Sequence, residues 1–352
     1  MTNAKITVDT KELHDAVKMT KLSIERRAAV PILCLMRMTV FRGDLRLQGT
    51  NLDQHITTHI AGSGKGDFDI MFQPNNMLRF LNCLSGEVSI SVKADYLTLK
   101  VGRDVLTVYL GIDASDQPEL KVGPPVERVS IPEAELHRLL RRVRTCISAV
   151  MTRFYLNSVY FHSIDGKLAL AATDGHRLMR VKTGFAWTGD GFILPASTVK
   201  ILLAMLDKKG NGSVDIALHK DNKVTFKTKH GILRSKTIDC KFPDVQKLIP
   251  KPSNKISVDL DISCLRKFDA KTIKINPESG TITQSIDFDG SQVTAGVKVG
   301  VGASFGLNNA LLKPLVAELG PVNISGNGAT DPFLITGTDQ DTTCALMPIK
   351  FN

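Results

Sequence analysis

One spacing governs what this chain can fold into. Ile6-Thr7-Val8 followed by Glu12-Leu13-His14 returns as Val129-Ser130-Ile131 followed by Glu135-Leu136-His137, 123 positions later. The same offset carries Gly43-Asp44-Leu45-Arg46-Leu47 onto Gly166-Lys167-Leu168-Ala169-Leu170, and Thr50-Asn51 onto Thr173-Asp174. A repeat of this length is a domain-sized unit. A third copy opens at Ile256-Ser257-Val258 and leads into Leu265-Arg266-Lys267-Phe268. Its later helix, expected over Phe305 to Leu312 with Asn308-Asn309, echoes Phe72 to Arg79 with Asn75-Asn76. Proline clusters at Pro124-Pro125 and Pro250-Lys251-Pro252-Ser253 interrupt the pattern. The expected domains are therefore 1–125, 126–253 and 254–352, the third shortened by loss of part of its first half.

Within each copy the order reads strand, helix, alternating strands, helix, alternating strands, so the expected class is α+β with mainly antiparallel sheet. A helix is expected over 132–148, with Pro132 in its first turn. There Leu136, Leu139, Leu140, Val143 and Ile147 form one apolar stripe. The opposite face carries Arg138, Arg141 and Arg142, with Arg144 on the flank; Lys18 and Lys21 take the places of Arg141 and Arg144 in the first copy. Such faces are ordinarily just solvated. Equivalent helices of a repeat arranged about an axis face one shared space, which favours a common partner.

The charge distribution points the same way. The chain carries +10 overall, and the three copies hold +1, +11 and −2. Concentration in one copy implies a polyanion bound through its phosphates, without base readout, since no zinc finger, basic zipper or paired stacking aromatics occur. With 43% apolar and 23% charged residues the chain reads as soluble and globular. No apolar run approaches the ~20 residues of a membrane span, and the N-terminus lacks a secretory h-region. The six cysteines stand singly, which implies a reducing cytoplasmic setting, buried thiols, no metal site and no cofactor.

Catalytic patterns fail on spacing. Gly62-Ser63-Gly64-Lys65 has His59 in place of the first phosphate-loop glycine and Gly66 in place of the magnesium-binding Ser or Thr, and Gly300-Val301-Gly302 misses the dinucleotide pattern. Thr173-Asp174-Gly175-His176-Arg177 leaves two readings open. Asp174 and His176 could serve a hydrolase, or the segment is a turn shaped by Asp and Gly with His176 and Arg177 as an outward binding rim.

The residues also carry a resemblance. Ala172-Thr173-Asp174-Gly175-His176-Arg177-Leu178, Arg153-Phe154-Tyr155-Leu156-Asn157, Asp239-Cys240-Lys241-Phe242-Pro243-Asp244 running to Ile249-Pro250, and Met347-Pro348-Ile349-Lys350 occur in one order, with Arg27 to Leu33 as a weaker fifth. In these the whole chain resembles the bacterial DNA sliding clamps, the beta subunits of DNA polymerase III. The resemblance implies the DNA clamp fold: three tandem clamp domains, helices lining a central hole and antiparallel sheets outside, closed as a head-to-tail homodimer. It implies a non-catalytic processivity factor that encircles duplex DNA without reading sequence. A peptide groove would tether the replicative polymerase, the clamp loader and repair proteins.

Carried over position by position, that groove would be walled by Leu156, Thr173, Gly175, His176, Arg177, Leu178, Pro243, Lys247, Leu248, Ala345, Met347, Pro348, Ile349 and Lys350. Arg27, Phe154 and Tyr155 match positions near DNA, to which periodicity adds Arg138, Arg141, Arg142 and Lys200. Leu106 and Val108, on the strand Asp104 to Leu110, match the dimer edge. Three departures stand out: clamps are usually acidic where this chain is +10, Lys350 replaces a common Arg, and the third copy is short. They keep a specialised repair, plasmid or phage paralogue as an alternative.

Overall fold

The structure, a computed structural model, describes residues 4–285 and 292–350. The first copy comprises β1 (Ala4–Asp9), α1 (Thr10–Thr20), β2 (Met36–Phe41), β3 (Asp44–Thr50), β4 (Gln54–Ala61), β5 (Ser63–Lys65), β6 (Phe68–Phe72), α2 (Pro74–Leu81), β7 (Glu87–Lys93), β8 (Tyr96–Val101) and β9 (Asp104–Tyr109). The second has β10 (Pro125–Pro132), α3 (Glu133–Val143), β11 (Ser158–Ile164), β12 (Lys167–Thr173), β13 (Arg177–Ala186), β14 (Phe192–Pro195), α4 (Ala196–Met205), β15 (Ser213–His219), β16 (Lys223–Thr228), β17 (Gly231–Lys236) and the short α5 (Val245–Leu248). The third has β18 (Ile256–Leu260), α6 (Ile262–Leu265), β19 (Thr272–Asn276), β20 (Thr281–Ser285), β21 (Gln292–Gly296), β22 (Phe305–Asn308), α7 (Asn309–Leu319), β23 (Val322–Gly326), β24 (Phe333–Thr336) and β25 (Thr342–Leu346).

Local chemistry sets these elements. Asp9 caps α1, its carboxylate accepting from the Lys11 and Glu12 amides at 2.9 and 3.0 Å, while Leu13 and Val17 turn inward. In β1, β2 and β8 inward apolar residues alternate with outward ones. Ile6, Leu13, Val17, Met38, Leu47, Phe72, Met77, Ile90 and Leu99 belong to one buried cluster, so the core of the first copy lies between its two half-sheets and its two helices.

The chain divides into two compact units, residues 1–137 with 200–237 and residues 138–199 with 238–352. The first unit holds a five-stranded sheet, β5-β1-β7-β8-β9, and an eight-stranded one, β10-β15-β16-β17-β4-β3-β2-β6. The second holds an eight-stranded sheet, β14-β11-β12-β13-β25-β24-β23-β18, and a four-stranded one, β21-β20-β19-β22. Each eight-stranded sheet takes four strands from each of two neighbouring copies. They join antiparallel at β17 and β4 (Leu233 opposite Ile56) and at β13 and β25 (Met179 opposite Cys344). Sheet continuity therefore makes the compact units cut across the copies.

Several expectations need correction. Helix α3 ends at Val143, not 148: a 3-10 turn follows over Arg144–Cys146 and Ile147 is extended, so its place on the stripe is coincidental. Phe305–Asn308 is strand, and the helix starts at Asn309 because the Asn308 side chain caps it, accepting from the Ala310 amide at 3.0 Å. The third copy keeps its strands; its first helix has four residues in α6 against eleven in α1, and the link from that helix to the next strand has six residues against fifteen. Only Cys146 and Cys344 are buried, while Cys83 and Cys240 are exposed. Burial pushes the Cys146 thiol up to about 12, making it inert. The glycines of the failed phosphate loop also find their reason here. A Cβ on Gly64 would stand 2.1 Å from the Lys5 carbonyl, because β5 pairs with β1 there.

Candidate functional site

Asp174 builds the turn between β12 and β13. One carboxylate oxygen accepts from the His176 and Arg177 amides, each at 2.9 Å, and the other from Arg177 Nε at 2.9 Å. Thr173, buried, donates its hydroxyl to the Arg177 carbonyl at 2.7 Å and accepts from the Gly175 amide. Gly175 has φ +90, which a side chain would strain. The carboxylate is thus occupied in holding the loop, with Arg177 as its ion-pair partner. Arg177 Nη1 donates to the Leu311 carbonyl at 2.9 Å, and its side chain is only 12% exposed. The outward rim expected of Arg177 is therefore corrected: it braces the turn, and His176 alone of the pair is exposed.

Around this turn lies an apolar surface. Leu156, Leu178 and Ala345 share a buried cluster with Ala171, Ile193, Phe242 and Val245, against which Tyr155, Tyr160, Ile238 and Ile249 pack. The Met347 amide donates to the His176 carbonyl at 2.8 Å, drawing the segment after β25 alongside the turn. Met347 and Leu248 are exposed at 43% and 46%, and Pro243, Pro348 and Ile349 are half-buried. Asp244 caps α5, which presents Lys247 and Leu248; Lys350 is exposed. Of the expected groove residues the structure joins Leu156, Leu178 and Ala345 in one apolar floor and ties Met347 to the His176 turn, while Pro243 and Leu248 flank floor residues along the chain and Pro348, Ile349 and Lys350 follow Met347. Sequence reasoning missed Phe242, Val245 and Ile249 as parts of that floor, although the spacing Phe242, Val245, Leu248, Ile249 in the noted segment carried the signal. Tyr155, matched to a position near DNA, is half-buried and packs against this cluster, with the exposed Phe154 edge-on to it at 5.9 Å.

The basic residues divide. Arg27 and Lys200 are exposed. The arginines of α3 have acidic partners: Arg141 meets Glu318 at 3.0 Å, Arg138 meets Asp339 at 3.2 Å, and Arg142 donates to Asp339 and, at 2.9 Å, to Thr342. Arg142 is only 16% exposed, so its expected place among free DNA contacts is corrected to an internal strut. A guanidinium as buried and neutralised as that of Arg142 has little left for a phosphate.

Strands β9 and β21 each end their sheet. On β9 Leu106 and Val108 are half-buried against the first copy's core, and Val105 and Tyr109 stand out at 54% and 66% exposure.

Family models for the N-terminal and central domains of the DNA polymerase III beta subunit match residues 4–121 and 130–244, together about two thirds of the chain. The beta sliding clamp of Caulobacter vibrioides is 25% identical over 378 positions, covering 98% of this chain and all of that protein. The chain belongs to the bacterial DNA sliding-clamp family. The Caulobacter crescentus clamp, solved with PEG bound, matches at TM-score 0.90 and 25% identity over 99% of this chain and 100% of its own. The Bacillus subtilis clamp matches in fold at TM-score 0.90 with 19% identity, covering both chains fully. A Pseudomonas aeruginosa clamp bound to griselimycin does so at 0.90 and 21%, over 99% of this chain and 100% of its own. The α+β architecture is that of tandem clamp domains, and clamps are non-catalytic processivity factors of DNA polymerase III, which agrees with the structural task of Asp174. Among the described residues no helix is long and apolar enough to cross a membrane.

Proposed function

We propose that this clamp works as a homodimeric ring of tandem domains, 1–125, 126–253 and 254–352 in each chain, that encircles duplex DNA. Its groove tethers the replicative polymerase, the clamp loader and repair proteins through short peptides with apolar anchors. One observation carries the reading. Twice within the chain, the third strand of one copy's four-stranded half pairs with the last strand of the next copy, β4 with β17 and β13 with β25. The strands left over are β21 and β9, which hold those same two positions at sheet edges. A second copy supplies each with the missing partner, and a heterologous contact of this kind closes into a ring. Exposed Val105 and Tyr109, beside half-buried Leu106 and Val108, suit such a joint.

Exposed Arg27, Phe154 and Lys200 and the partly exposed Arg138 and Arg141 would contact phosphates weakly enough to slide. The apolar floor under Met347 and Leu248 suits a peptide's hydrophobic anchors, and linkage raises the effective concentration of the tethered enzyme. Solution mass and DNA retention test the proposal together. The expected result is twice 38.4 kDa, with the loaded protein staying on circular DNA and running off linear ends. A monomer held equally by both overturns it.

A further inference from the structure

The seam where β17 joins β4 carries a polar cavity. Register places Arg234 opposite His55, Ile232 and Gln48 opposite Thr57, and Arg46 opposite His59, all on one sheet face. Leu45, Leu47, Ile56 and Leu233 alternate with them and are buried on the other face. Over the outer face runs the segment Glu119–Val122, with Leu120 buried, and between segment and sheet lies a cavity of about 600 Å³. Its lining is mostly polar and contains no phenyl or indole ring. Arg46, Arg234 and Lys121 line it together with a single carboxylate, Glu119.

The donors there are unusual. His55 is 1% exposed, and Gln48 Nε2 lies 3.3 Å from its Nε2. An amide N–H donating to Nε2 leaves the imidazole proton on Nδ1, and Nδ1 has no partner. Burial, aided by the charge of Arg234, lowers His55 to about 4, so the ring is neutral near pH 7 and offers one N–H. The buried Thr57 hydroxyl and Arg234 Nε also lack partners. Three unpartnered groups able to donate, all on residues that line one cavity, with Arg46 and Lys121 also in its wall, call for an acceptor with several oxygens and negative charge.

We propose that this cavity binds a small phosphate-class oxyanion, inorganic phosphate or pyrophosphate. The bound ion would clasp the 119–122 segment onto the β4–β17 seam. It is a site separate from the peptide groove, and the proposal does not depend on ring closure or DNA binding.

The full chain is titrated with phosphate, pyrophosphate and AMP by calorimetry and thermal unfolding, against sodium chloride at matched ionic strength. Saturable binding of phosphate or pyrophosphate is expected, with unfolding raised by about 2–4 °C at about five times Kd. Arg234→Gln and Arg46→Ala should each weaken binding by about tenfold or more. Arg46 is exposed, so its variant tests the site even if Arg234→Gln folds poorly. AMP binding tighter than either inorganic ion would overturn the inorganic assignment. Absence of saturation beyond the chloride control, or wild-type affinity in Arg46→Ala, would overturn the site itself.

Discussion

Asp339 holds two arginines of α3, and the proposed DNA contact would compete with it for them. Its carboxylate, 26% exposed, accepts from Arg142, from Arg138 at 3.2 Å, from the Thr342 hydroxyl at 3.3 Å and from the Asp341 amide at 2.9 Å. Burial alone would raise its pKa; the hydrogen bond from Arg142, the Asp341 amide and the two arginine charges outweigh that, and the net shift is downward. Asp339→Asn keeps the shape and removes the charge. A charge-assisted hydrogen bond to a partly buried arginine is worth about 1.5–3 kcal/mol, less some screening, so we expect a loss of about 1–3 kcal/mol. In a unit of this size that lowers its unfolding temperature by roughly 3–8 °C. A carboxylate with a depressed folded pKa stabilises fully above its unfolded value, about 3.9, and loses the contribution as pH falls through the lower folded value. The deficit of the variant is therefore full at pH 7 and closes below about pH 4.

The same substitution takes the carboxylate charge away from Arg138 and Arg142. If α3 faces DNA, each of these cations that then reaches a phosphate steepens the salt dependence of binding by about 0.9. The expected variant is less stable, binds duplex DNA more tightly at low salt, and has a salt slope steeper by about 1–2. Calorimetric unfolding and binding titrations across salt concentrations measure both. A variant with wild-type unfolding temperature at pH 7 would refute the ion-pair argument, and a lower temperature with an unchanged salt slope would refute the placement of these arginines near DNA.

Met347→Ala should weaken capture of a short peptide bearing leucine and phenylalanine anchors by about tenfold, because about 1–2 kcal/mol of exposed apolar contact is removed; unfolding should stay unchanged, and fluorescence anisotropy reads the difference. Gly64→Ala should prise β5 from β1, since its Cβ would fall 2.1 Å from the Lys5 carbonyl; a loss of about 1–3 kcal/mol in denaturant unfolding is expected. His55, lowered from 6.5 to about 4 chiefly by burial, makes the unfolded chain bind more protons in that interval. Stability should therefore fall as pH drops from about 6.5 towards about 4, by roughly 2–3 kcal/mol for this group, and His55→Gln should flatten that part of the profile.

What could be read in the sequence was whatever repeats or alternates locally. The 123-residue offset carries α1, residues 10–20, onto α3, residues 133–143, because both bury the same stripe beneath a sheet of the same pattern. The turn at Asp174 was legible for a similar reason, since Asp followed by Gly shapes its own backbone within three residues. Arg142 was not legible: its partner Asp339 lies 197 positions away, and no periodicity in α3 distinguishes an arginine aimed at solvent from one aimed at another element. Arg177 was misread on the same ground, for its brace on Leu311 spans 134 positions. The seam cavity follows the same logic. His55 and Arg234 are unremarkable in their own strands and acquire a shared chemistry only when β4 and β17 pair. The internal duplication thus made the scaffold predictable while hiding the contacts that distinguish one copy from another. In this chain those contacts, Arg142 with Asp339 and Arg234 beside His55, involve the second copy, which holds the excess positive charge. Part of the second copy's +11 is met by acids of the third, Glu318 and Asp339, so that figure overstates what α3 offers a nucleic acid, while the net +10 of the whole chain already counts those acids.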